Sequence, residues 1–100
     1  MGAIIFVNIL FGGIKVCEFV YRIKDEIGIH ARPAGAIVKI AKDAKSDVTM
    51  ECRGKTADLK KIFSLMSLSV KCNDEVTVKV SGEDEKAVCD NLKRYLTENL

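Results

Sequence analysis

The sequence predicts an α+β domain with the element order βαββαβα, in which a largely antiparallel sheet carries three helices on one face. Three observations point there. Runs of alternating apolar and polar residues mark four strands, apolar residues at three- and four-residue spacing mark three helices, and each element offers one apolar side.

In chain order, Phe19, Tyr21 and Ile23 alternate with Val20, Arg22 and Lys24, which gives the first strand one face suited to burial. Asp25 to Ile29 form a loop around Gly28. Ala34, Ile37, Val38, Ala41 and Ala44 then recur at helical spacing and predict a helix from about Arg32 to Asp43. Gly35 weakens that helix by about 1 kcal/mol relative to alanine. Val48, Met50 and Cys52 alternate with Thr49 and Glu51, and Arg53, Gly54 and Lys55 turn the chain into a second extended piece ending near Leu59. This reads as a hairpin. Lys60 to Leu68 carry Ile62, Leu65 and Met66 on one side of a short helix. Val76, Val78 and Val80 alternate with Thr77 and Lys79 in the clearest strand, which ends at Ser81 and Gly82. The last segment opens with Glu83, Asp84 and Glu85, carries Val88, Leu92, Tyr95 and Leu96, and places Lys93 and Arg94 late. Acid first and base last suit the dipole of a helix.

A chain of 100 residues, 48% apolar and 30% charged, has enough apolar surface for one folded domain. Its net charge of +2 is too small for a general nucleic-acid or membrane-surface binder, so an electrostatic partner must be met by a local patch. Cys17, Cys52, Cys72 and Cys89 lie far apart without CxxC spacing, and with a single histidine they argue against a metal site. They read as reduced, mostly buried thiols of a cytoplasmic protein. The opening MGAIIFVNILF lacks a basic flank and falls well short of the roughly 20 apolar residues of a membrane-spanning helix, so no membrane insertion is expected. Residues 1–15 are an N-terminal extension of unassigned role, and residues 16–100 form the domain. Gly12, Gly13 and Val16 fit a misplaced translation start, with Val16 as the true initiator; an intact Met1 on the natively expressed protein would rule that out.

The stretch IGIHARPAG, residues 27–35, brings together the only histidine, the only proline and an arginine. It lies where the first loop enters the first helix. Pro33 marks a helix start, because its missing N–H would have had no intrahelical partner there and its φ already suits the helix. The amides at that end, those of Ala31 and Arg32, point outward with partial positive charge, which makes the space beside His30 an anion site. Arg32 adds a permanent cation. A neutral imidazole is a good nucleophile toward phosphorus, and a phosphoryl group placed on it would be held by the same donors. Spacing alone leaves open the plainer alternative of a solvated loop histidine and arginine without chemistry.

The run Gly28-Ile29-His30-Ala31-Arg32-Pro33-Ala34 resembles the active-site signature of the HPr family, the histidine phosphocarriers of the phosphoenolpyruvate-dependent sugar phosphotransferase system. The resemblance extends over about residues 16 to 100: Asp47-Val48 matches the family's second strand, Arg53-Gly54-Lys55 its hairpin, and Lys60 to Leu68, especially Met66-Ser67-Leu68, its short helix. It implies an open-faced β-sandwich, with three helices on one face of a four-stranded antiparallel sheet. It also implies that His30 accepts a phosphoryl group at Nδ1 from phospho-enzyme I and donates it to a histidine of an enzyme IIA, while Arg32 steadies the group. Such a protein is a carrier, not a free-standing catalyst; it needs no cofactor and is expected to be a monomer.

Donor and acceptor use the same histidine in turn, so the resemblance implies one shared docking surface. The matching apolar positions are Ile62, Phe63 and Met66, with Lys39 and Lys42 as rim charges. Ile62 and Met66, four apart, equally fit the core face of the short helix, whereas Phe63, one step off that face, is the better surface candidate. Two departures stand out. Lys61 occupies the position of the regulatory serine of Gram-positive members, so the kinase switch is expected to be absent and Lys61 to add a fixed charge to the rim. Incubation with that kinase and ATP should therefore leave no serine phosphate; Ser64 and Ser67 align with other positions. Ile27 replaces the small polar residue usual before the glycine, and an apolar side chain cannot hydrogen-bond within the active loop. Rival readings are a nitrogen-type regulatory phosphocarrier, a non-transferring interaction module, and an acyl-phosphate hydrolase. The last needs a water-positioning asparagine or similar group that residues 27–35 do not supply.

Overall fold

The computed structural model describes the backbone of residues 5–11 and 14–100, with side chains from Val16 onward. Its elements are β1 (Ile5–Phe11), β2 (Ile14–Arg22), α1 (Ala31–Lys42), β3 (Asp47–Cys52), β4 (Lys55–Asp58), α2 (Ile62–Ser67), β5 (Glu75–Ser81) and α3 (Glu85–Asn99). The strands lie in the order β1-β2-β5-β3-β4, each antiparallel to its neighbour. β2, β5, β3 and β4 are the expected four-stranded sheet. β1, from the segment to which the sequence assigns no role, adds a fifth strand along β2, with Ile5 opposite Val20 and Phe11 opposite Ile14. β2 accordingly begins at Ile14, well before the alternation that starts at Phe19.

One face of the sheet is the core. Cys17, Phe19 and Tyr21 of β2, Val76, Val78 and Val80 of β5, and Val48, Met50 and Cys52 of β3 are all buried there. Over them pack Ala34, Ile37, Val38 and Ala41 of α1 and Val88, Cys89, Leu92 and Leu96 of α3. Each large apolar side chain removed from water in this way contributes about 1.5–3 kcal/mol. On the opposite face the register sets unlike charges across from one another. Glu18 faces Lys79 at 3.6 Å, and Arg22 faces Glu75 at 3.1 Å.

Two helices differ from the sequence reading. In α2 the core contact is made by Leu65, continued by Leu68 just past the helix end, while Ile62 and Met66 are each 38% exposed. A helix of six residues reaches the core along a single row, so the three residues read as one stripe are split. α3 runs on to Asn99, so Lys93 and Arg94 fall short of its last turn, which holds no basic residue. The late placement of bases therefore does not complement that end of the dipole.

The connection from α1 to β3 is fastened to the start of α3. Asp84, the N-cap residue, accepts hydrogen bonds from the amides of Lys45 (2.9 Å) and Ser46 (3.0 Å) and from the Ser46 hydroxyl. The Ser46 hydroxyl first, and the Lys45 amide next, hold the Asp84 carboxyl below its ordinary range. A carboxyl whose pKa is depressed by folding stabilises the native state above about pH 4 and loses that contribution as pH falls through its folded value. Asp84→Asn is therefore expected to lower the thermal midpoint at neutral pH, with the gap to wild type closing in acid. A melting series from pH 7 down to about pH 2.5 checks this; a gap constant with pH would contradict it.

Candidate functional site

The chain leaves β2 at Arg22 and is held at both ends of the next turn. The Ile23 amide donates to the Asp74 carbonyl at 2.9 Å, and the Asn73 amide donates to the Ile23 carbonyl at 2.7 Å. Asp25 then closes a local turn, its Oδ1 accepting from the Ile27 amide at 2.8 Å while its carbonyl accepts from the Gly28 amide at 3.0 Å. Gly28 has φ +81, and a Cβ on it would lie 2.3 Å from the Val70 carbonyl oxygen and 2.7 Å from Lys71 Cα. Only glycine fits so close an approach of two backbones. The Ile29 amide donates to the Val70 carbonyl at 3.0 Å, and its side chain is buried.

This fixed loop delivers His30 as the N-cap of α1, in extended conformation at φ −108 and ψ −173. Its carbonyl accepts the first helical hydrogen bond, from the Ala34 amide at 2.9 Å. The amides of Ala31 and Arg32 precede that bond, and Pro33, the third helical residue, has none to offer. The His30 side chain does not cap the helix and is half-buried, whereas Arg32 is exposed. Among the described residues neither the imidazole nor the guanidinium has a hydrogen-bond or ion-pair partner. Two outward amides, an uncommitted arginine and an uncommitted histidine thus meet at one helix end, a geometry able to hold a dianion on the ring.

The other expected residues distribute unevenly. Phe63 is 87% exposed, and Ile62 and Met66 flank it on α2, which packs against α1 and β4. Lys61, the N-cap of α2, is exposed in extended conformation. Lys39 and Lys42 are exposed too, but they stand in the last turn of α1. At 1.5 Å per residue that is at least about 13 Å along the axis from the His30 end. The neighbouring Lys60 is engaged, its Nζ donating to the Ala44 carbonyl at 3.2 Å. Ser64 and Ser67 are likewise committed: the Ser64 hydroxyl accepts from the Asp58 amide at 3.0 Å, and the Ser67 hydroxyl donates to the Ser64 carbonyl at 2.6 Å.

Ile27 takes a place that the sequence did not suggest. Its side chain is 67% exposed three residues before His30, and the loop's turn is made by Asp25 instead. The rule that a large apolar side chain left in water marks a contact surface is the signal that could have singled it out. The supporting segment 68–74, on which Gly28 and Ile29 sit, left no sequence signal at all.

Residues 17–98 match the family described as the PTS HPr component phosphorylation site. The chain is 38% identical over 78 residues to the phosphocarrier protein HPr of Mycoplasma genitalium, a match that covers 77% of this chain and 89% of the relative. Among solved structures, a histidine-containing phosphocarrier protein of Mycoplasma aligns with a TM-score of 0.79 at 30% identity, over 81% of this chain and 92% of its own. An HPr from Thermoanaerobacter tengcongensis aligns with a TM-score of 0.78 at 31% identity, over 81% and 91%.

Proposed function

The chain belongs to the HPr phosphocarrier family, and on that premise we propose that His30 is its phosphorylation site, charged by enzyme I and discharged to an enzyme IIA in phosphoenolpyruvate-dependent sugar uptake. The observation that carries this reading is the half-buried His30 ring at the N-cap of α1, unpartnered among the described residues, beside the Ala31 and Arg32 amides and the exposed Arg32 guanidinium. With its proton on Nε2, the ring attacks the phosphorus of the donor phosphohistidine through the Nδ1 lone pair. The donor's P–N bond breaks as the new one forms, and its electron pair returns to the donor ring. Arg32 and the two amides neutralise charge on the phosphoryl oxygens. Discharge to the acceptor repeats the step in reverse roles.

Docking falls to α2 and the His30 loop. The exposed large apolar side chains among the described residues are Ile27, Ile62, Phe63 and Met66, and each belongs to one of those two segments. Lys61 adds a fixed positive charge at the start of α2, with Lys39 and Lys42 further along α1, which suits acidic partner surfaces. Action as a monomer is part of the same proposal. Four free cysteines, three of them buried, fit a reducing cytoplasm. Residues 16–100 are proposed as the carrier unit and residues 1–15 as an extension to it, one that nevertheless contributes β1 and the first residues of β2 to the sheet; the family match over 17–98 supports this division.

Incubation with phosphoenolpyruvate and enzyme I, followed by intact-mass and acid-lability measurements, tests the reading. One acid-labile phosphate is expected on the wild type and none on His30→Ala. An unlabelled wild type, or label retained by His30→Ala, would refute it. Phe63→Ala should still accept phosphate but with the KM for enzyme I raised about tenfold, the usual cost of truncating an aromatic anchor.

A further inference from the structure

We propose that Arg53 is a positioning residue for His30, acting through segment 68–74; this rests on the phosphocarrier reading of the site. Arg53 stands at the tip of the β3–β4 hairpin with φ +51, followed by Gly54 at φ +80. Two positive φ values suit a two-residue hairpin turn, but arginine is a poor occupant of the first position, where asparagine or glycine is favoured. What arginine adds is reach. Its Nη2 donates to the carbonyls of Leu68 at 2.5 Å and Ser69 at 3.2 Å, and its Nη1 donates to the Asp74 carboxylate. One guanidinium thus grips both ends of the segment 68–74.

Between those ends the segment is tied to itself and to the His30 loop. The Asp74 carboxylate also accepts from the Lys71 amide at 2.8 Å. The Lys71 amide foremost, and then the Arg53 guanidinium, hold that carboxyl below its ordinary range, so it is ionised and paired at neutral pH. The segment meets both ends of the His30 loop: Asn73 and Asp74 bond to Ile23, and the Val70 carbonyl accepts from Ile29. Gly28 is seated on Val70 and Lys71, leaving no slack between the two backbones.

Backbone strain follows the same path. Among the described residues, the non-glycine positions with positive φ are Arg53, Ser69 (+50) and Asn73 (+74). All three belong to the clamp. Such conformations are unfavourable for non-glycine residues and persist where surrounding contacts over-determine them. Here those contacts are the Arg53 hydrogen bonds, and the backbone they immobilise carries the residue that must present its ring in line to two successive partners. In-line transfer tolerates little displacement of the reacting atom.

The test uses Arg53→Asn, which leaves a residue suited to the turn while removing the guanidinium, and Arg53→Lys, which keeps the charge without the forked donors. The expected result for Arg53→Asn is a phosphorylation rate by enzyme I lowered roughly 10- to 100-fold in kcat with KM little changed. Amide hydrogen exchange at Ile29 should rise in parallel, since its acceptor Val70 is no longer held. Arg53→Lys should recover part of both. Wild-type kcat and unchanged Ile29 exchange in Arg53→Asn would overturn the proposal, as would faster exchange with undiminished kcat. A wild type that takes no phosphate would overturn the phosphocarrier reading, and the positioning role with it; phosphorylation of wild type and variant alike would overturn the clamp alone.

Discussion

Arg32→Ala is expected to slow phosphoryl transfer through His30 by roughly 10²- to 10³-fold, equivalent to about 2.7–4 kcal/mol of transition-state stabilisation. In the transition state negative charge spreads over three phosphoryl oxygens. Two backbone amides, of Ala31 and Arg32, remain in the variant, so the loss is that of one charged donor and not of the whole cradle. Arg32→Lys should recover only part, because an ammonium offers a point charge where the guanidinium offers a planar fork. The fold should not notice. Arg32 is exposed and makes no hydrogen bond or ion pair among the described residues. Rapid-quench transfer rates beside thermal melts separate the two effects, and a midpoint that fell with the rate would mark Arg32 as structural.

Gly28→Ala carries the largest expected loss of stability, roughly 2–5 kcal/mol. About 1–2 kcal/mol comes from placing a Cβ on a residue in the left-handed region. Overlap adds about 1–3 kcal/mol more, because the atoms met at 2.3 and 2.7 Å are backbone and cannot rotate away. For a domain of this size the thermal midpoint should fall by about 10 °C or more. The surviving native fraction should also transfer more slowly, since the displaced loop carries His30. A melt within about 2 °C of wild type would show that the two segments can separate cheaply.

Much of this fold follows from local pattern. Pro33 beside Arg32 fixes the start of α1 within a residue, because proline is tolerated in a first turn and nowhere later. The alternation of Val76, Val78 and Val80 marks β5, and the pair Arg53-Gly54 marks the hairpin tip. The pairing of β1 with β2 was not legible: Ile5–Phe11, apolar but for Asn8, shows no two-residue alternation to read. The short α2 misled for a related reason. Four-residue spacing suggested Ile62 and Met66 as a stripe, yet which row of so brief a helix meets the core depends on the neighbours it lands on. At the site, His30 and Arg32 were visible because they adjoin in sequence. Arg53 and Asp74, 21 residues apart, and Gly28 with Val70 were not, because only tertiary structure brings them together.

The four thiols turn the protein into its own gauge of opening. Cys17, Cys52 and Cys89 are sealed in β2, β3 and α3, and burial pushes each of them up from the ordinary thiol range. An alkylating reagent attacks thiolate, so in the closed protein these three are doubly shielded, by exclusion and by protonation. Cys72 is partly exposed on the segment beside the His30 loop. A labelling time course therefore divides into a prompt phase that samples that segment and a lagging phase whose rate follows the opening equilibrium of the sheet and its covering helix.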